Sequence, residues 1–153
     1  MKLKENVEPC HAKPFPVPCA CESTLKMEVD GSCKMGALRK ANHSQWASPS
    51  FVIPKKDKTV RFANDFRELN ERVERTPFPI PKIQDMLLKL KGFTHATSLD
   101  LNMGHCHVKL HPESKKLCTL VFPWGKCETQ VLPWDCAMDQ TSFKKRCPCH
   151  FRS

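Results

Sequence analysis

The clearest run of apolar and polar positions follows three prolines, Pro77, Pro79 and Pro81. Ile83, Met86, Leu87 and Leu90 fall at i, i+3, i+4 and i+7, the spacing of one buried helix face. Gly92 is the expected stop. Upstream, Phe51-Val52-Ile53 and Thr59-Val60-Arg61-Phe62 flank the polar Lys55-Lys56-Asp57-Lys58, which predicts a β-hairpin. Lys58 sits where that turn favours a positive φ, at a cost of about 1 kcal/mol for a residue other than glycine. Three further strand candidates are 95–101, 106–110 and the pair 117–122 with 127–132, the last joined by a turn at Pro123-Trp124-Gly125-Lys126. Leu25 and Val29 predict a short helix over 22–30 that ends near Gly31. Alternating Pro14, Pro16 and Pro18 predict an extended lead-in over 1–20 that does not pack as an element, and residues 144–153 read as a frayed tail. No internal repeat is visible. The pattern predicts an α+β chain.

Composition narrows the picture. A length of 153 residues favours one domain and permits a sizeable core. The formal charge of +9 favours a polyanionic partner, although a solvated basic surface would look the same. No apolar run approaches the ~18 residues of a membrane span, and Met1-Lys2-Leu3-Lys4-Glu5-Asn6 lacks the apolar h-region expected of a secretory signal. No membrane partner and an intracellular, reducing compartment are expected. Against that background, 10 cysteines stand out. They form no Cys-x-x-Cys, the usual zinc spacing; the nearest patterns are Cys19-Ala20-Cys21, His105-Cys106-His107 and Cys147-Pro148-Cys149-His150. Tyrosine is absent.

Candidate chemistry concentrates in three places. Thr97-Ser98-Leu99-Asp100-Leu101 delivers one carboxylate at the end of a β-prone run, where a two-metal phosphoryl-transfer site holds its ions and where turn-forming aspartates also sit. Lys55 and Lys56 either grip a polyanion or form an ordinary solvated turn. Asp65, Arg67 and Glu68 read as an ion-pair and capping cluster. Trp124 and Gly125 read as turn residues.

Several long stretches, in order, carry a resemblance. They are Trp46-Ala47-Ser48-Pro49 through Phe51-Val52-Ile53-Pro54-Lys55-Lys56-Asp57, then Val60-Arg61-Phe62, then Asp65-Phe66-Arg67-Glu68-Leu69-Asn70. Thr76-Pro77-Phe78-Pro79-Ile80-Pro81 and Ser98-Leu99-Asp100-Leu101-Asn102-Met103-Gly104 continue it, and His11-Ala12-Lys13-Pro14-Phe15-Pro16-Val17-Pro18 looks like the segment that precedes them. From about residue 11 to 133 the chain resembles reverse transcriptases of gypsy-type long-terminal-repeat retrotransposons. The resemblance implies a truncated right-hand polymerase, fingers and partial palm, with antiparallel strands and flanking helices. It implies a lead-in with a short helix over 1–45, fingers and palm over 46–133 and a divergent tail over 134–153. Asp100 would be the first catalytic carboxylate and, with the Leu101 carbonyl, a ligand of Mg²⁺. Lys55 or Lys56, with Arg61, would hold the triphosphate of an incoming deoxynucleotide; His105 and Trp134 would border the nucleotide or nucleic acid. The partners implied are an RNA template, a DNA primer, deoxynucleoside triphosphates and the remainder of a pol polyprotein.

The departures set the expected activity. The family's Tyr-x-Asp-Asp hairpin has no counterpart before Ser153, and several convergent carboxylates are needed to fix two ions ~3.5–4 Å apart. The family's aromatic after Met-Gly is His105, and its Leu-Pro-Met-Gly reads Leu132-Pro133-Trp134-Asp135, which puts an acid where triphosphate would approach. Family tyrosines correspond to His105, Cys106 and Cys127, so the cysteine surplus reads as mutational drift. The expectation is a fragment inactive as a polymerase alone and marginal in folding, which retains salt-sensitive nucleic-acid binding. A domesticated nucleic-acid- or protein-binding module, a polymerase completed by another chain, and a zinc module are the alternatives.

Overall fold

The computed structural model describes residues 1–41, 43–56, 59–74, 104–133 and 136, with scattered positions between 82 and 97. The expected helix face of Ile83, Met86, Leu87 and Leu90 lies outside the described residues. So do Lys58, most of the strand expected over 95–101 and the tail from 144. Gly92, the expected helix stop, takes φ 77°.

The first helix, α1, runs Cys19–Lys34. Its inward stripe is Cys21, Leu25, Val29 and Cys33, successive i+4 positions that face one core. The expected stop at Gly31 is a correction: the helix passes through it. Gly31 has no positive φ to turn the chain, whereas Gly36 takes φ 76°. The Gly36 N–H donates to the Cys33 carbonyl and the Ala37 N–H to the Ser32 carbonyl, both at 3.0 Å. That pair of hydrogen bonds with a left-handed glycine ends a helix by satisfying its last carbonyls.

Among the described residues, five strands follow: β1 Leu38–Ala41, β2 Ser48–Pro54, β3 Val60–Asn64, β4 Thr119–Phe122 and β5 Gly125–Thr129. They form one sheet in the order β1-β5-β4-β2-β3. Two short helices, α2 Arg67–Arg72 and α3 Pro112–Leu117, and a 3-10 turn at Gly104–His107 complete the described elements. Both predicted hairpins are present, the second with shifted bounds: Leu117 ends α3, and Gly125 and Lys126, expected in the turn, begin β5. β2 pairs antiparallel with β3, and β4 with β5 through a two-residue connection, because Phe122 is already opposite Gly125.

Two strand expectations need correction. The sheet is mixed: β2 runs parallel to β4 through Ser48–Leu120 and Pro49–Val121. Tight turns force antiparallel neighbours, but more than sixty residues separate these two strands, ample for the crossover a parallel pair needs. The candidate strand 106–110 is instead the tail of the 3-10 turn followed by a single bridge, Lys109 to Val131.

The lead-in is extended but not loose. Leu3 bridges Val73 and His11 bridges Ala47, and Met1, Leu3, Val7, Cys10 and Val17 are partly buried against the core. Extended backbone leaves its N–H and C=O groups free to bond neighbouring chain, as Ala12 and Cys10 do with Ala47 at 3.0 and 2.8 Å.

The core is centred on Leu25, Val29, Phe66, Leu69, Val73 and Leu120. Leu120 has no solvent exposure and belongs to β4, the strand that joins both halves of the sheet. Leu120→Ala should lower the unfolding free energy by about 2–5 kcal/mol, read as an earlier urea midpoint with an unchanged slope.

Candidate nucleic-acid interface

The β2–β3 hairpin has two unlike faces, because strand side chains alternate. Val52 is opposite Phe62 and Pro54 opposite Val60 on the inward face. There Val60 is buried, and Phe62 packs edge-on against Phe122 with ring centres 5.9 Å apart. Ile53 is opposite Arg61 and Phe51 opposite Ala63 on the outward face. Phe51 and Ile53 are 41% and 42% exposed, unusual for large apolar groups in a strand. Phe15, from the proline-rich lead-in, meets Phe51 edge-on at 6.4 Å. At the hairpin's end the Lys55 N–H donates to the Thr59 carbonyl at 2.9 Å, which closes the strands and leaves Lys55 and Lys56 exposed.

Arg61, which the sequence singles out, thus shares the outward face with Phe51 and Ile53, which it does not, with Phe15 against Phe51 and the exposed Lys55 and Lys56 at the hairpin's end. A signal for Phe51 and Ile53 is nonetheless present: with Val52 inward, period-two alternation turns them outward. The surface offers fixed positive charge beside apolar area, a combination suited to a phosphate backbone and unpaired bases. Asp100, Leu101 and Trp134 lie outside the described residues. His105 enters the 3-10 turn Gly104–His107.

The acidic cluster beside the hairpin is structural, as expected. The Asp65 N–H donates to the Pro49 carbonyl at 2.9 Å, which anchors it to β2. Asp65 Oδ1 accepts from the Arg67 N–H at 3.1 Å, and Arg67 Nη2 donates to Asp65 Oδ2 at 2.6 Å. The Arg67 guanidinium holds the Asp65 carboxyl below its ordinary range through these hydrogen bonds. Glu68 is engaged by Arg72 Nη1 at 2.6 Å, one helical turn away. Trp124 is a turn residue: its ring stacks on Phe122 at 5.4 Å and takes Lys26 Nζ 5.1 Å from its centre. Among the described residues, no group of three or more His, Cys, Asp or Glu side chains could hold a metal ion, and no helix is long and apolar enough to cross a membrane.

The likeness to known proteins runs through both sequence and fold. No family model matches the chain. It is 26% identical over 130 residues, 85% of its length, to the transposon Tf2-7 polyprotein of Schizosaccharomyces pombe, and equally to the Tf2-3 polyprotein. The chain spans about a tenth of the length of these curated relatives. Among solved structures, the native prototype foamy virus protease–reverse transcriptase superposes with a TM-score of 0.81 at 22% identity, over 95% of this chain and 20% of that one. A foamy viral protease–reverse transcriptase in complex with dsDNA superposes at 0.75 and 17% identity, over 92% and 27%. The chain therefore has a fold found within a retroviral protease–reverse transcriptase, and its sequence is similar to a segment of retrotransposon polyproteins.

Because Asp65 is held ionised in the fold, its contribution to stability is full above the ordinary carboxylate pKa and lost as pH falls through the depressed one. Asp65→Asn should lower the melting temperature at neutral pH. The gap from wild type should close in strong acid, where both carry a neutral group at 65; thermal melts across a pH series check this.

Proposed function

We propose that the chain is the fingers and partial palm of a gypsy-type retrotransposon reverse transcriptase, an RNA-directed DNA polymerase, and that these residues bind nucleic acid without polymerising unaided. The observation that carries the reading is the outward strip of the β2–β3 hairpin, where Arg61 shares the outward face with Phe51 and Ile53 and the exposed Lys55 and Lys56 lie at the hairpin's end. It supports a grip on phosphates, whether of a template–primer or of a deoxynucleoside triphosphate. The dsDNA held by the foamy viral relative supports a nucleic-acid partner. His105 and Trp134 would border the same substrate, inside the cell.

Asp100 is proposed as the counterpart of the first catalytic carboxylate. With the Leu101 carbonyl it offers a single acidic ligand, and among the described residues Asp65 and Glu68 are engaged by Arg67 and Arg72. That donor set does not fit a pair of Mg²⁺ ions, which needs several convergent carboxylates. The positive strip, with its neighbouring acids already paired, equally favours a binding module descended from the same fold, distinguished by tight selection of one RNA or one partner.

Two outcomes are expected. Primer extension on an RNA template with Mg²⁺ and deoxynucleotides should give no product from wild type or from Asp100→Asn; a product that vanishes in the variant would show a complete site. Binding to a mixed-sequence RNA should weaken steeply with salt. Replacing Lys55, Lys56 and Arg61 together by alanine should flatten the slope of log affinity against log salt by about 2–3, close to 0.7–0.9 per lost phosphate contact.

A further inference from the structure

The described cysteines are thiols, and two of them come from the helix and the sheet that enclose one core. Cys33 lies in the last turn of α1, and Cys127 is central in β5. Cys127 belongs to the buried core, and Cys33 packs against that core. The surrounding geometry places the two cysteines in one neighbourhood. Lys40 of β1 is the cross-strand partner of Cys127, so both side chains rise on the same face of the sheet. Lys40 Nζ pairs with Asp30 Oδ1 at 3.2 Å, and Asp30 lies one helical turn before Cys33. The ion pair therefore bridges that part of α1 to that part of the sheet. Cys127 is 4% exposed, whereas Cys33 is only half-buried at the helix end. The two cysteines are 94 positions apart in sequence, so a bond between them would close a long loop.

We propose that Cys33 and Cys127 form a disulfide modification site that staples α1 to β5 when a low-molecular-weight disulfide such as oxidised glutathione is present. The Cys33 thiolate, the accessible one, attacks a sulfur of the small disulfide. A mixed disulfide forms and one small thiolate leaves. The Cys127 thiolate then attacks the Cys33 sulfur, the Cys33–Cys127 bond forms and the second small thiolate leaves. The protein loses two electrons and two protons, and the small disulfide becomes two thiols.

The second step is the slow one. Burial pushes the Cys127 thiol up to about 11, with the Cys33 thiol and Asp30 adding to the rise and Lys40 opposing it. Burial keeps the Cys127 thiol protonated at neutral pH, so the mixed disulfide at Cys33 should accumulate before it resolves. Resolution should quicken about tenfold per pH unit on approach to that value. The cross-link is independent of any catalytic or nucleic-acid role, because neither residue belongs to the hairpin strip.

The test is incubation of the full chain with oxidised glutathione at several pH values, followed by alkylation, proteolysis and mass spectrometry. The expected result is a glutathione adduct at Cys33 that gives way to a cross-linked pair of peptides containing Cys33 and Cys127, faster at higher pH. The oxidised protein should melt at a higher temperature than the dithiothreitol-treated one, and Cys33→Ser, a near-isosteric change at a half-buried position, should abolish both the link and the shift. Absence of the Cys33–Cys127 peptide at every pH, or a melting shift that persists in Cys33→Ser, would overturn the proposal.

Discussion

The placement of the candidate interface depends on two rungs of parallel sheet. Ser48 beside Leu120 and Pro49 beside Val121 are the ladder that ties the β2–β3 hairpin to β4 and so to the remaining strands. Pro49 lacks an N–H, so this junction is short of donors from the start. Its carbonyl accepts from Asp65, which draws the end of β3 back onto β2. Beneath the junction, Val60, Phe62 and Phe122 make the hairpin's inward face part of the common core. Polar ladder and apolar seam act together: the first sets register, the second excludes water.

That arrangement explains why one side of a short hairpin can be so exposed. The inward face consumes Val52, Phe62 and Val60, and the alternation of the strand leaves Phe51, Ile53 and Arg61 on the other side. The Phe15 ring covers part of that side and leaves the rest to solvent. Exposed apolar groups beside exposed cations mark a binding surface more readily than a solvated loop does. The neighbouring acids do not cancel that charge, because Asp65 and Glu68 are held by their own arginines.

Much of this is legible in the sequence, and the remainder is hidden for physical reasons. The hairpins follow from apolar runs around polar turns, and the Asp65–Arg67–Glu68 cluster from spacing that puts partners within reach. The end of α1 is obscured because a glycine within a helix costs only about 1 kcal/mol, which the Leu25–Val29 stripe outweighs. The parallel β2–β4 pair is set by tertiary register, on which local pattern is silent. The packing of Cys33 against the core that holds Cys127 joins residues 94 apart, beyond any local signal. The resemblance singles out Asp100, but its position lies outside the described residues, so the charged strip and not the carboxylate anchors the functional reading.

The central claim is that the outward strip of the β2–β3 hairpin meets nucleic acid. Amide hydrogen exchange of the chain with and without a mixed-sequence single-stranded RNA tests it most directly. Slower exchange concentrated in residues 51–61, with α1 and β5 unchanged, is the predicted result. Protection confined to α1 and the β1 edge, with the hairpin exchanging as in the free chain, would contradict it.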